Sequence, residues 1–262
     1  MSIRLGVAPD AALLAEAVAA EFLRLASEAI ARHGAFRVSL AGGETPRTAY
    51  ERIAATWRKA PGGAIPWDRV HLYWSDERMV PRDDPRSNFG MARAALISRV
   101  PIPAENVHPV GIDAANPGAA AADYEQTLRA AFAGESKALP RFDLILLGMG
   151  ADGHTASLFP GAPLLDEQAR LALAARHPET GEPRVTLTLP VINNAAATIV
   201  IASGGAKTAM LDRAVRGTGR REGEPLLPIE RLRPASGILL WMADAAAAPW
   251  AASLVYRVTT YC

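Results

Sequence analysis

The sequence predicts an α/β, Rossmann-like fold in which a mainly parallel sheet is flanked by helices on both faces. Short apolar runs alternate with longer segments of helical periodicity, which is the pattern of βα units. Glycine-rich or charged turns follow several of these runs directly, as expected where strands open into ligand-binding loops. Half of the 262 residues are hydrophobic, enough for a substantial core without disulfides. We expect one domain over residues 1–262.

The elements follow in order along the chain. Asp10 is a suitable N-cap and Gly34 a suitable stop for a first helix. The next segments are predicted as strand 36–41, helix 46–57, strand 70–74, a helix from Ser87 to about residue 99, strand 107–110 and helix 117–132. Beyond them we expect strand 142–147, an irregular stretch after Pro160, strands 185–189 and 198–202, helix 205–215, strand 238–242 and helix 244–251. Segments 60–66 and 216–228 contain several Gly and Pro residues and are predicted loops.

The composition argues against several classes of protein. The formal net charge is +1, so no broad basic field suggests a nucleic-acid partner. No apolar stretch is long enough to cross a bilayer and no signal peptide is evident, so we expect no membrane partner and a cytoplasmic location. The only cysteine, Cys262, is expected to be an incidental exposed thiol. We expect a monomer or a weak homo-oligomer.

Four motifs follow predicted strands, where open α/β sheets bind their ligands. In the first, Ala41-Gly-Gly-Glu-Thr-Pro46, the glycines Gly42 and Gly43 let the backbone approach a ligand closely. Thr45 suits a helix N-cap and Pro46 the first helical position, so free N–H groups would face an anion. An ordinary strand-to-helix turn explains this motif equally well.

Two further motifs place cations at strand ends. Arg78, in Trp74-Ser-Asp-Glu-Arg78, has a planar guanidinium that suits phosphate, although the spacing alone favours a solvated turn whose charges pair with one another. Lys207 is expected in the first turn of a helix, where a cation opposes the helix dipole and a bound anion would relieve the conflict. A solvated lysine explains that position equally well.

The remaining motif is the glycine-rich turn 147–161. Its glycines at 148, 150 and 153 have the G-x-G-x-x-G spacing of a dinucleotide-binding loop. That interpretation is disfavoured, because Pro160 and Pro163 interrupt the helix it needs and no second strand ending in an acidic residue follows. Asp152 and His154 lie in the same turn. His154 is a candidate general base with Asp152 orienting its ring, although a lone histidine is more often a structural hydrogen-bonding group.

Together the motifs resemble the 6-phosphogluconolactonase family. Its glycine loop, usually Ser-Gly-Gly-Ser-Thr-Pro, corresponds to residues 41–46, and its Trp-x-Asp-Glu-Arg-x-Val-Pro block to residues 74–81. Its Gly-x-Asp-Gly-His-Thr-Ala-Ser-Leu-Phe-Pro-Gly block matches residues 150–161. Further matches lie at 184–190, at 204–207 and around Trp241 and Asp244, so the blocks cover nearly the whole chain in order.

The resemblance implies a fold related to sugar-phosphate isomerases and deaminases. It implies hydrolysis of 6-phosphoglucono-1,5-lactone to 6-phosphogluconate, the second step of the oxidative pentose phosphate pathway, with this phosphorylated lactone as the small-molecule partner. His154 is then the base that activates water, and Arg78 and Lys207 are phosphate or oxyanion contacts beside loop 42–45. That chemistry needs no metal or organic cofactor, and neither a zinc-site spacing nor a P-loop motif occurs in the sequence.

Two departures from the family pattern and two rival functions remain. Ala41 replaces a frequent serine, and Glu44 adds a negative charge that we expect to face solvent, because an inward carboxylate would repel phosphate.

A glucosamine-6-phosphate deaminase or isomerase would share the glycine loop and the Asp-Gly-His turn. Such enzymes place a glutamate where this chain has Phe159, which cannot move protons. A non-catalytic sugar-phosphate sensor would keep the anion loops without needing His154.

Overall fold

The computed structural model describes residues 3–60, 62–133, 139–254 and 259–261; Cys262, and with it the expected exposed thiol, lies outside them. The helices are α1 (Ala11–His33), α2 (Glu44–Thr56), α3 (Asn88–Ala95), α4 (Pro117–Ala131), α5 (Leu189–Asn193) and α6 (Thr208–Arg216). The strands are β1 (Ile3–Ala8), β2 (Phe36–Leu40), β3 (Val70–Trp74), β4 (Asp76–Arg78), β5 (Leu144–Gly148), β6 (Ala172–Arg176), β7 (Pro183–Leu187), β8 (Ala197–Ala202), β9 (Ile238–Asp244) and β10 (Thr259–Tyr261).

The main sheet has seven strands in the order β10-β1-β9-β8-β5-β2-β3. All neighbours pair in parallel except β10, which runs antiparallel to β1. The predicted α/β fold with a mainly parallel sheet is therefore confirmed. From β2 the chain continues outward to β3, whereas from β5 it continues in the opposite direction to β8. The boundary between β2 and β5 is thus a topological switch point, where open sheets form a ligand crevice beyond the carboxyl ends of their strands.

A second, antiparallel sheet of three short strands in the order β4-β7-β6 adjoins the main sheet. Ser75 links the two sheets: its N–H donates to the Leu40 carbonyl at the end of β2, and its carbonyl accepts from the Leu187 N–H in β7. The sequence prediction contained only β7, shifted by two residues as strand 185–189. The segment that follows β3 therefore joins the small sheet as β4, at the mouth of the crevice.

The first helix illustrates how the sequence determines the element ends. The Asp10 carboxylate accepts from the Leu13 N–H at 2.8 Å, and Gly34 closes the helix in the left-handed region at φ 84°. Buried residues at helical spacing, among them Leu14, Val18 and Phe22, pack α1 onto the core. The predicted cap and stop of this helix are confirmed.

Two predicted elements are wrong. Residues 107–110 form no strand: Val107 makes one isolated bridge to Leu72, and Pro109 supplies no N–H to extend the pairing. Residues 244–251 do not form a closing α-helix, because Asp244 is the last residue of β9. Its carboxylate accepts from the Ala247 N–H at 2.8 Å, which holds a turn there instead.

Within the described part of the chain, no helix is both long enough and apolar enough to span a membrane.

Candidate active site

A cleft of about 280 Å³ opens at the switch point between β2 and β5. It brings together the residues that sequence reasoning singled out from four separate segments. The glycine loop after β2, the glycine turn after β5, the segment after β8 and strand β4 all contribute to its wall. The predicted site residues that line it are Gly42, Gly43, Thr45, Arg78, His154 and Lys207.

The glycine loop after β2 is fixed by its neighbours. A side chain at Gly42 would begin 1.9 Å from the Asn88 amide oxygen, so only glycine fits there. The Tyr50 hydroxyl accepts from the Ala41 N–H at 2.9 Å and donates to the Ala41 carbonyl at 2.8 Å. Because this single buried hydroxyl satisfies both backbone groups of Ala41, the loop leaves the sheet at a defined point.

The predicted N-cap at Thr45 is wrong. Helix α2 begins at Glu44, and its N-cap is Gly43, whose φ of 105° is unfavourable for any other residue. Thr45 therefore lies inside the first turn, whose free N–H groups border the cleft. The Glu44 side chain is 74% exposed and pairs with Arg47 one turn along the helix. This pairing lowers the pKa of Glu44, and the side chain is mostly exposed to solvent, as expected, although the residue also lines the cleft.

The turn after β5 holds the candidate base. The Gly150 N–H donates to the His154 carbonyl at 2.8 Å, which closes the turn. Oδ1 of Asp152 accepts from the His154 N–H at 3.2 Å and lies 2.6 Å from Nδ1 of the imidazole. Partial burial raises the pKa of Asp152, but these contacts with His154 outweigh it and hold the pKa below its ordinary value. With Nδ1 engaged, Nε2 is the nitrogen left to exchange a proton.

The chain beyond this turn does not form a dinucleotide-binding helix. Thr155 and Leu158 form a small antiparallel bridge, and a 3₁₀ turn at Pro163–Asp166 follows. Neither element is the α-helix that a dinucleotide-binding loop needs at its third glycine. The Phe159 ring instead packs against the His154 ring, with centroids 5.0 Å apart, and so forms an apolar wall beside the imidazole.

The charges that surround Arg78 are buried rather than solvated. Asp76 accepts from the Ser157 hydroxyl at 2.6 Å and from the Asn88 amide at 3.2 Å. The Glu77 carboxylate accepts from the backbone N–H groups of Arg78, Asn88 and Phe89. Burial raises the pKa of Glu77, although these N–H groups oppose the rise. Asp76 and Arg78 both line the cleft, whereas Glu77 does not, so this part of the wall carries a carboxylate as well as a guanidinium.

Lys207 stands at the other side of the cleft. It ends a 3₁₀ turn, Gly205–Lys207, and is the residue directly before α6. The preceding loop is held by buried Asp244, which accepts from the Ser203 hydroxyl at 2.5 Å and from the Gly204 N–H at 3.0 Å. No carboxylate pairs with the Lys207 ammonium among the residues that the structure describes.

Comparison with known proteins identifies the family. The model of the family described as "Glucosamine-6-phosphate isomerases/6-phosphogluconolactonase" matches residues 9–241. The chain belongs to this family. A 6-phosphogluconolactonase of Nostoc sp. is 41% identical over 219 residues, covering 84% of this chain and 86% of the relative. One from Homo sapiens is 41% identical over 215 residues, covering 81% and 80%.

A solved structure of a family member superposes on nearly the whole chain. The 6-phosphogluconolactonase from Trypanosoma cruzi matches with a TM-score of 0.78 and 25% identity, covering 93% of this chain and 95% of that one. The relationship to the glucosamine-6-phosphate isomerase/6-phosphogluconolactonase family therefore holds in both sequence and fold.

Six polar residues that line the cleft were not predicted as site residues: Glu44, Ser75, Asp76, Asn88, Arg184 on β7, and Ser203. Arg184 belongs to the matching block 184–190, which was the available signal, but nothing local to the sequence places β7 beside β4. Within residues 3–60, 62–133, 139–254 and 259–261, no three His, Cys, Asp or Glu side chains are grouped as a metal site requires.

Proposed function

We propose that this member of the family hydrolyses 6-phosphoglucono-1,5-lactone to 6-phosphogluconate, with His154 as general base. The observation that carries the proposal is the Asp152–His154 pair, whose histidine lines a cleft together with Arg78, Arg184 and Lys207. The 2.6 Å contact from Asp152 to Nδ1 fixes the ring and leaves Nε2 to accept a proton from water. The lactonase names of relatives at 41% identity support the same reaction.

The chemistry follows from these groups. A water molecule gives one proton to Nε2 of His154 while its oxygen attacks C1 of the lactone, and the carbonyl oxygen becomes an oxyanion. The intermediate collapses by breaking the bond from C1 to the ring oxygen, which takes the proton back from His154. The products are a hydroxyl at C5 and a carboxylic acid that ionises at neutral pH. Asp152 stabilises the imidazolium between the two proton transfers.

The phosphate binds away from the reacting carbon and fixes the orientation of the lactone. Lys207 and the free N–H groups at the start of α2 form a suitable anion site, since a helix N-terminus and an ammonium both attract phosphate. The proposed hydrolysis of the lactone is the second reaction of the oxidative pentose phosphate pathway.

The rival deaminase function is disfavoured by Phe159. Its ring lies against His154, at the position where those enzymes carry a glutamate, and it supplies no proton-transfer group. The test is product analysis with both substrates: acid release from the lactone above its spontaneous hydrolysis, and ammonia release from glucosamine 6-phosphate. We expect acid release alone. Ammonia release would favour the deaminase, and ligand binding with no turnover of either substrate would favour the sensor.

A further inference from the structure

Two arginines face each other across the small sheet at one end of the cleft. Arg78 on β4 and Arg184 on β7 are direct partners in the antiparallel register. Their side chains therefore leave the same face of the sheet, and both line the cleft. Like charges directly opposite each other destabilise a strand pair. Because the two arginines nevertheless lie side by side in the wall of the cleft, the geometry points to an anion that binds between them.

Most of the hydrogen-bonding capacity of this pair is unused. A guanidinium has five N–H donors. Arg184 donates one bond, to Glu182 at 3.0 Å, and Arg78 donates one, to the Arg86 carbonyl at 2.5 Å. Arg184 forms ion pairs with Glu182 at 3.0 Å and, less closely, with Asp76 at 4.0 Å, so these two carboxylates balance part of the charge of the arginine pair. Among the described residues, the buried Nε atoms of both Arg78 and Arg184 have no hydrogen-bond partner, and the Arg184 side chain is only 11% exposed.

The position of the pair distinguishes it from the other cationic end of the cleft. Lys207 follows β8, and strands β5 and β2 separate β8 from β3, which leads into Arg78. The Phe159 ring connects Arg184 to the base: its centroid lies 5.8 Å from Cζ of Arg184 and 5.0 Å from the His154 ring centroid. Phe159 thus contacts both Arg184 and the candidate base, and we take the reacting carbon to lie on this side of the cleft, with the distal group towards Lys207.

We propose that Arg184, together with Arg78, binds the oxyanion formed at C1 and the product carboxylate that develops from it. Lys207 and the first turn of α2 bind the phosphate. This assignment rests on the proposed lactonase function. The carbonyl oxygen of the lactone is neutral, whereas the intermediate and the product carry a negative charge there. A guanidinium pair thus stabilises the charge that develops during the reaction more than it stabilises the substrate, and its planar donors match a carboxylate.

The experiment compares two competitive inhibitors that differ only at C1. One is 6-phosphogluconate, and the other is glucitol 6-phosphate, in which a CH₂OH group replaces the carboxylate. Loss of a charge-assisted contact predicts that Arg184→Gln weakens 6-phosphogluconate about 10- to 100-fold. Glucitol 6-phosphate keeps its inhibition constant within about twofold. Lys207→Met weakens both inhibitors, and Arg184→Lys restores part of the binding of 6-phosphogluconate.

The matched control is Arg176→Gln, the same substitution on β6 of the small sheet, where the exposed Arg176 side chain does not line the cleft. It leaves both inhibition constants unchanged. A structural role of Arg184, limited to neutralising Asp76 and Glu182, would weaken both inhibitors equally and would overturn the assignment. Equal binding of the two inhibitors to the wild type would overturn it without any variant. Absence of lactone hydrolysis by the wild type would instead refute the proposed function itself.

Discussion

A single methyl group at Gly150 should disable the candidate catalytic pair. A Cβ atom there would lie 2.2 Å from Oδ1 of Asp152 and 2.2 Å from Nδ1 of His154. An ordinary contact needs at least 3.4 Å, so the two groups must retreat by about 1.2 Å, and their 2.6 Å contact cannot survive unchanged. A misplacement of about 1 Å at a catalytic group can cost about 100-fold in rate. The φ angle of Gly150 is not in the left-handed region, so the backbone itself accepts alanine.

The assay is lactone hydrolysis in a pH-stat, corrected for spontaneous hydrolysis, with thermal unfolding measured in parallel. Gly150→Ala should lower kcat about 100-fold and affect KM much less, because the proposed phosphate contacts are made by Lys207 and the first turn of α2. Gly111→Ala is the control, since a Cβ at Gly111 meets nothing within 4 Å. A folded Gly150→Ala enzyme with kcat within twofold of the wild type would show that the Asp152–His154 geometry is not needed.

Three further predictions concern the base, the glycine loop and pH. Asp152→Asn should lower kcat by about 100-fold or more at similar stability, because an amide stabilises the imidazolium poorly. Tyr50→Phe leaves the N–H and carbonyl of buried Ala41 without partners, and urea unfolding should show a loss of about 1–3 kcal/mol. Burial lowers the pKa of His108 to about 4 and also lowers that of its neighbour His71. Both titrate near pH 6.5 in the unfolded chain, so stability should fall as the pH drops from 6.5 to 4, by about 1–2 kcal/mol after allowance for partial exposure.

Each of these has its own contradicting outcome. Wild-type kcat in Asp152→Asn would remove the carboxylate from the mechanism. An unchanged urea midpoint in Tyr50→Phe would mean that water replaces the hydroxyl without cost. For the histidine pair the control is His108→Phe, which should flatten the dependence of the unfolding free energy on pH between 6.5 and 4. The same slope in wild type and variant would assign the acid sensitivity to other groups.

The parallel sheet could be predicted because its strands are nearly continuous apolar runs followed by distinctive turns. The elements that escaped prediction owe their structure to distant partners. Strand β1 contains Arg4 and Gly6 and has little local signal, and it becomes a strand by pairing with β9 along its whole length. Strand β4 consists of three charged residues that pair with β7 more than a hundred positions away. The Ala-rich segment after Asp244 favours a helix locally, but the carboxylate of Asp244 is used to fix the loop before Lys207.

Part of the candidate site could be predicted because it is built from turns that follow the apolar strands of the main sheet. Its glycine loops and the residues His154, Arg78 and Lys207 follow recognisable strands, and the topology collects strand ends at one edge. The cap at Gly43 was missed because threonine is the commoner N-cap, whereas here the close approach of Asn88 to Gly42 sets the path of the loop. Arg184 could not be assigned from the sequence, since its neighbourhood depends on the register of β4 against β7.

The most direct test of the central claim is the turnover of 6-phosphoglucono-1,5-lactone by the wild type and by His154→Gln, each measured as acid release above spontaneous hydrolysis. Glutamine keeps a hydrogen-bonding side chain of similar size but cannot act as a base. We predict rapid acid release by the wild type and a kcat lower by about 10²- to 10⁴-fold in the variant, with inhibition by 6-phosphogluconate largely retained. Undiminished turnover in a folded His154→Gln enzyme would contradict the assignment of His154 as the general base.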